Sequence, residues 1–209
     1  MLGLTIGLGV WQLQRLAWKT ELLAKIDRAE AAPPVPLSDH PRPFEKVAVH
    51  GRWRDDLRAF YGSEVRSGAT GATLGAQLIT PLERPDGLPV LIDRGWVPDG
   101  ATVQSEPGEV TVVGYVRPPE TPSWLSPATD LAAKRFWSLD PAAIASTLGI
   151  GKVAPFTVVA LGRGAGLPET AAALPRPPND HLGYAITWFG LAASLVVVFA
   201  VYIRRTLRA

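Results

Sequence analysis

The chain has 209 residues, a formal net charge of +2, 47% hydrophobic positions and 19% charged ones. That charge content falls below the roughly 25% of an ordinary soluble domain. Cysteine is absent, methionine occurs once and histidine three times, which excludes disulfides, thiolate metal centres, iron–sulfur clusters, cysteine nucleophiles and methionine-rich copper sites. The apolar surplus is gathered at the two ends.

The sequence opens with MLGLTIGLGVWQL, an uncharged run shorter than the roughly 17 residues a bilayer requires. A cleaved signal peptide would show a basic start and a small-residue cleavage site, and neither is visible. Residues 1–14 are therefore expected to belong to a first transmembrane helix whose beginning lies upstream of Met1. RLAWKTELLAKIDRAEAA follows without proline or glycine and carries Leu16, Leu23 and Ile26 near helical spacing. It predicts a helical extension over 15–32, with Glu21 and Lys25 as an i,i+4 pair. Trp11, Arg15 and Trp18 suit an arginine snorkelling between indoles at a membrane surface. APPVPLSDHPRP then predicts a proline-rich linker over 33–45, without regular structure.

Beyond the linker the period changes. KVAVHGRW (46–53), LRAFYG (57–62), LGAQLITPL (74–82), LPVLIDRGWV (88–97), EVTVVGYVR (109–117) and PFTVVALGR (155–163) all read as strands. Residues 83–87, which include Arg-Pro-Asp-Gly, predict a hairpin between 74–82 and 88–97. One short helix is expected, with Asp140 as N-cap, Pro141 in the first turn, Ile144 and Leu148 on one face, and Gly149 at the C-cap. Together 46–180 predict an α+β domain with a mainly antiparallel, barrel-like sheet.

From Tyr184 to Ile203 no residue is charged. As a helix this run is roughly 30 Å long, the thickness of a bilayer core. A second transmembrane helix is expected over 181–203, followed by a basic tail, 204–209. Arg204, Arg205 and Arg208 place that tail in the cytoplasm by the positive-inside rule. Both termini are then cytoplasmic, and the domain between the two spans is extracytoplasmic. Without those arginines basic and acidic residues nearly balance, leaving no basic patch for nucleic acid.

Few residues suggest chemistry. There is no G-x-S-x-G elbow and no H-E-x-x-H pair. His40 and His50 are expected to be exposed, and Asp55 and Asp56 to start a turn. Gly162, Gly164 and Gly166 follow a strand but precede no phosphate-binding helix. His181, Tyr184 and Trp188 recur at i, i+3 and i+7 and share a face if the last helix includes them. His181 reads in two ways: as an axial haem ligand, with the porphyrin along apolar helix faces, or as an interfacial histidine facing water. Arg94 also has two readings. It pairs with a carboxylate or haem propionate beside Trp96, or it shares a strand face with Trp96 for structural reasons, with Gly95 permitting close approach and Pro98 ending the strand.

Three blocks, LGVWQLQRLAWKTELL at 8–23, LITPL with VLIDRGWVP at 78–82 and 90–98, and PPNDHLGYAITWFGLA at 177–192, together resemble the Surfeit locus protein one family. These are cytochrome c oxidase assembly factors that include the yeast Shy proteins. Asp93 stands where the resemblance leads one to expect asparagine more often. The resemblance implies a non-enzymatic, two-span protein of the bacterial inner membrane that binds haem A and assists its insertion into oxidase subunit I. It also implies that His181 ligates the haem iron, with Tyr184 and Trp188 against the ring and Arg94 toward the propionates. Subunit I, haem A synthase and the lipid bilayer are the implied partners. The alternative is a membrane scaffold that holds an oxidase subunit or haem A synthase without binding haem.

Overall fold

The computed structural model describes all residues except 69–70, 105–106, 123, 125, 163–165 and 209. The chain forms two compact units, one of Met1–Arg28 with Pro175–Ala209 and one of Ala29–Leu174.

The second unit is built on eight strands: β1 (Val35–Pro36), β2 (Lys46–Trp53), β3 (Ala59–Gly68), β4 (Gly71–Glu83), β5 (Val90–Pro98), β6 (Glu109–Arg117), β7 (Arg135–Phe136) and β8 (Thr157–Ala160). Five of them close into a barrel in the order β2-β6-β8-β5-β4, and β4 returns to β2 through Arg52↔Glu83 and Trp53↔Leu82. At that seam a Cβ on Gly51 would lie 2.1 Å from the Glu83 carbonyl oxygen, so only glycine lets the strands meet. Val47, Val49, Leu82, Val90, Ile92, Val116, Phe156 and Val158 fill the interior. The helix α2 (Pro141–Leu148) covers the outer face of β4 and β5 with Ile144 and Leu148, packed with Leu139 and Phe136 against Ile79 and Leu91. β5 is thus buried on both faces, including Asp93 and Arg94 at its centre.

The expected hairpin is present, with β4 and β5 in register from Leu82↔Val90 to Gly75↔Pro98. Both expected caps of α2 are present as well. The Asp140 carboxylate accepts from the N–H groups of Ala142 and Ala143 at 3.0 and 3.3 Å, and Gly149 is left-handed at φ 71°.

The sheet is mainly antiparallel, as expected, but mixed: β8 runs parallel to β5 and antiparallel to β6, and two short outer pairings, β1–β2 and β3–β7, are also parallel. The excursion between β6 and β8, which contains α2, brings the chain back in the direction of β5. The strand at 57–62 is instead β3, which continues to Gly68 and pairs along β4. Gly62, at φ 68°, belongs to an irregularity between Tyr61 and Glu64 rather than to a strand end. The linker also contributes order, since Val35 pairs with Val47 and Leu37 is buried in the core. The strand expected at 155–163 spans Thr157–Ala160; Arg163 and Gly164 lie outside the described residues.

In the first unit α1 (Leu2–Ala31) and α3 (His181–Thr206) pack antiparallel, for Gly9 meets Phe189 while Asp27 pairs with Arg176. α1 runs without a break to its end ahead of Pro33, and Glu21 and Lys25 form the expected ion pair at 3.0 Å. The seam is lined by Thr5, Gly9 and Gln12 on α1 and by Ala185 and Ala192 on α3. Small residues let helix backbones approach closely in apolar surroundings, and a Cβ on Gly9 would sit 2.7 Å from the Phe189 ring. Arg15 lies between the Trp11 and Trp18 rings, 5.9 and 5.0 Å from their centroids. Among the described residues one helix, α3, is long and apolar enough to cross a membrane.

Candidate functional site

His181 is the first residue of α3 and is half-buried. Its Nδ1 lies 2.6 Å from Oε1 of Gln12, a residue of α1 that is only 8% exposed. The segment leading into α3 is tied down on the same side. Lys19 Nζ donates to the Pro178 carbonyl, Asn179 Nδ2 donates to Thr20 Oγ1, and Arg176 pairs with Asp27 at 2.6 Å. Tyr184 and Trp188 follow on α3 one and two turns later, Tyr184 exposed and Trp188 half-buried. Among the described residues the ring Nε2 of His181 makes no hydrogen bond. An imidazole with one nitrogen tethered and the other unengaged, beside two aromatic rings on an apolar helix, has the donor set a porphyrin iron takes from a single protein ligand. No cluster of three or more histidines and carboxylates suited to a metal ion occurs among the described residues.

Arg94 belongs to the other unit. It is 4% exposed, its Nη1 lies 2.9 Å from Asp55 Oδ1, and its guanidinium sits 4.4 Å from the Trp53 ring centroid. Asp55 also takes Arg58 at 3.3 Å. Asp55 is therefore a carboxylate partner of Arg94, a role that no sequence signal announces, because Asp55-Asp56 reads locally as the start of a turn. Arg94 and Trp53 line a cavity of about 370 Å³ with Thr111, Ala160 and Thr170.

Arg94 and Trp96 do not share a strand face. Gln77 pairs with Trp96 and Ile79 with Asp93, so Arg94 and Gly95 together oppose Leu78 in a bulge. The bulge shifts the alternation by one, placing Trp96 on the side of Asp93 and Arg94 on the opposite side. Gly95 has φ 117°, and a Cβ there would fall 2.2 Å from the Glu169 carbonyl oxygen. That room lets the 169 backbone pair with Trp96, whose N–H donates to Glu169 at 3.0 Å and whose carbonyl accepts from it at 2.8 Å. Trp96 Nε1 donates to the Glu64 carbonyl, and Arg66 lies 5.1 Å from the indole centroid.

Asp93, 3% exposed, has its Oδ1 accepting from the Gly95 N–H at 3.0 Å. Burial pushes its carboxyl up to about 6, against the pull of that N–H and of the Arg117 and Arg66 charges. Nearby, Arg117 donates to the Tyr61 hydroxyl at 3.1 Å and to Glu120, and Glu120 also accepts from the Leu139 N–H. Burial alone would raise the Glu120 carboxyl. The Leu139 N–H, Arg117 and the Tyr61 hydroxyl hold it below its ordinary value instead. His50 is exposed, with Nδ1 2.8 Å from Thr111 Oγ1, and His40 is exposed too.

One unit is thus a small mixed β-barrel, and the other carries a helix long and apolar enough to cross a membrane, with a histidine as its first residue. Residues 1–193 match the SURF1 family. The chain is 30% identical over 214 residues to a SURF1-like protein of Rickettsia felis, covering 97% of this chain and 93% of that one. It is 31% identical to Surfeit locus protein 1 of Homo sapiens, covering 90% and 70% respectively, and 29% identical to that of Xenopus tropicalis. The chain belongs to the SURF1 family. Its three sequence blocks fall on α1, on the β4–β5 hairpin, and on the start of α3.

Proposed function

We propose that this protein is a non-enzymatic assembly factor for haem–copper cytochrome c oxidase. It sits in the bacterial inner membrane through α1 and α3, with both termini cytoplasmic and the β-barrel outside. Its cargo is haem A, received with the help of haem A synthase and passed to oxidase subunit I. Membership of the family supports the assembly role. The observation that carries the haem reading is His181: its Nδ1 is engaged by Gln12 while Nε2 is left for an iron. Tyr184 and Trp188 supply an aromatic wall on the same helix face. Arg94, ion-paired with Asp55 and stacked on Trp53, is assigned to holding the barrel.

The test is the pigment spectrum of the full-length protein purified from cells that make haem A. A haem A spectrum that His181→Ala weakens severalfold is the expected result. An unchanged spectrum and stoichiometry in that variant removes His181 from the site. Wild-type protein that carries no haem yet co-purifies subunit I would replace the cargo reading with the scaffold reading.

A further inference from the structure

We infer that Gln12 is the positioning residue for His181, its amide oxygen taking the Nδ1 proton so that the ring is held as the Nδ1–H tautomer with the Nε2 lone pair free to ligate. The inference rests on the proposed binding of haem by His181 and says which atom does it and what prepares it.

Four observations support it. The Oε1–Nδ1 separation is 2.6 Å, a close hydrogen bond. Gln12 is 8% exposed and its amide makes no other hydrogen bond among the described residues, so His181 is the group this buried amide serves. The two residues are 169 positions apart and come from different helices, so the bond exists only because α1 and α3 pack with Gly9 against Phe189. Finally, Lys19 holds the Pro178 carbonyl and the Asn179 side chain reaches Thr20, which fixes the segment just before His181 and leaves the imidazole orientation to its own side-chain bond. A neutral imidazole has one donor and one acceptor nitrogen, and the partner of one decides the role of the other. With an amide oxygen on Nδ1, the proton sits there and Nε2 becomes the ligand atom. With the amide reversed, its NH2 would face Nδ1 and Nε2 would carry the proton, blocking ligation.

The experiment uses full-length protein in detergent micelles with 15N-labelled histidine, above the pH range where imidazoles titrate. Ring nitrogen spectra, assigned through His181→Ala, should show a protonated Nδ1 and an unprotonated Nε2 for His181 in the absence of any haem. Gln12→Leu should convert His181 toward the Nε2–H tautomer. It should also weaken binding of haemin, the probe used, by about 10- to 100-fold, the usual effect of losing a group that orients a metal ligand. Gln12→Glu restores an acceptor at Nδ1 and should return the Nδ1–H tautomer and most of the affinity, which loss of helix packing would not predict. An Nε2–H tautomer in the wild type overturns the inference, as does a Gln12→Leu protein whose tautomer and haemin affinity are unchanged. If haemin fails to bind the wild type while the tautomer responds to Gln12 as described, the positioning role stands and the haem reading fails.

Discussion

Replacing Asp93 with asparagine should stabilise the protein at neutral pH and flatten its stability between about pH 4 and 6. The carboxyl is 3% exposed, and burial raises its pKa from the ordinary aspartate value of 3.8 to about 6. The sign follows from linkage. The folded state holds the Asp93 proton more tightly than the unfolded chain, so this group's contribution is fully present below about pH 4 and is lost as pH rises through about 6. At about 1.4 kcal/mol per pKa unit, ionised Asp93 costs about 3 kcal/mol at pH 7 relative to its protonated form. Asparagine removes that cost and keeps an oxygen to accept the Gly95 N–H, but adds an NH2 that needs a partner. The net gain should be about 1–3 kcal/mol, or about 5 °C in Tm. It should fall by about 2–3 kcal/mol toward pH 4, where the variant is no more stable than wild type. Thermal unfolding of full-length wild-type and Asp93→Asn proteins in detergent, repeated across this pH range, measures both quantities. A variant less stable than wild type at pH 7, or a difference that does not change with pH, would refute the reasoning. The exchange also installs the residue that resemblance to the family leads one to expect here.

Two further substitutions probe the fold around the same strand and the outer helix. Gly95→Ala combines a backbone at φ 117° with a Cβ 2.2 Å from the Glu169 carbonyl oxygen. It should lower stability by about 3 kcal/mol or more, read as a lower urea midpoint for the full chain in detergent. Asp140→Ala removes the acceptor for two N–H groups at the start of α2 and should cost about 1 kcal/mol. Serine at that position should recover most of the loss, as followed by the same unfolding curves.

Much of the fold was legible because it is written in local periodicity and end signals. The strands of β2, β5 and β6 alternate or run apolar over the right lengths, and the Arg-Pro-Asp-Gly loop marks the β4–β5 hairpin. Asp140, Pro141 and Gly149 bracket α2 because capping depends on residues within one turn. The expected strand stops at Gly62, which looks like a turn residue when seen alone. Pairing with β4 on both sides of it, through eight residue pairs, overrides that local preference. The parallel placement of β8 against β5 escaped for a related reason: it depends on where a long excursion delivers the chain.

The candidate site divides along the same line. His181, Tyr184 and Trp188 were legible as one helix face, since i, i+3 and i+7 meet on any helix. Gln12 was not, because its bond to His181 spans 169 positions. Asp55 escaped as the partner of Arg94, 39 positions away, for the same reason. The shared face expected of Arg94 and Trp96 failed because a bulge is an event of pairing, with two residues set against Leu78 on another strand. Local pattern marks both long helices, the short helix, most of the longer strands and the histidine at the start of the apolar helix, but not β1, β7 or the full length of β3. Only the tertiary structure decided which nitrogen of that histidine is engaged, which carboxylate holds Arg94, and which way the RGW residues face. Those outcomes arise from contacts between segments that the chain itself keeps far apart.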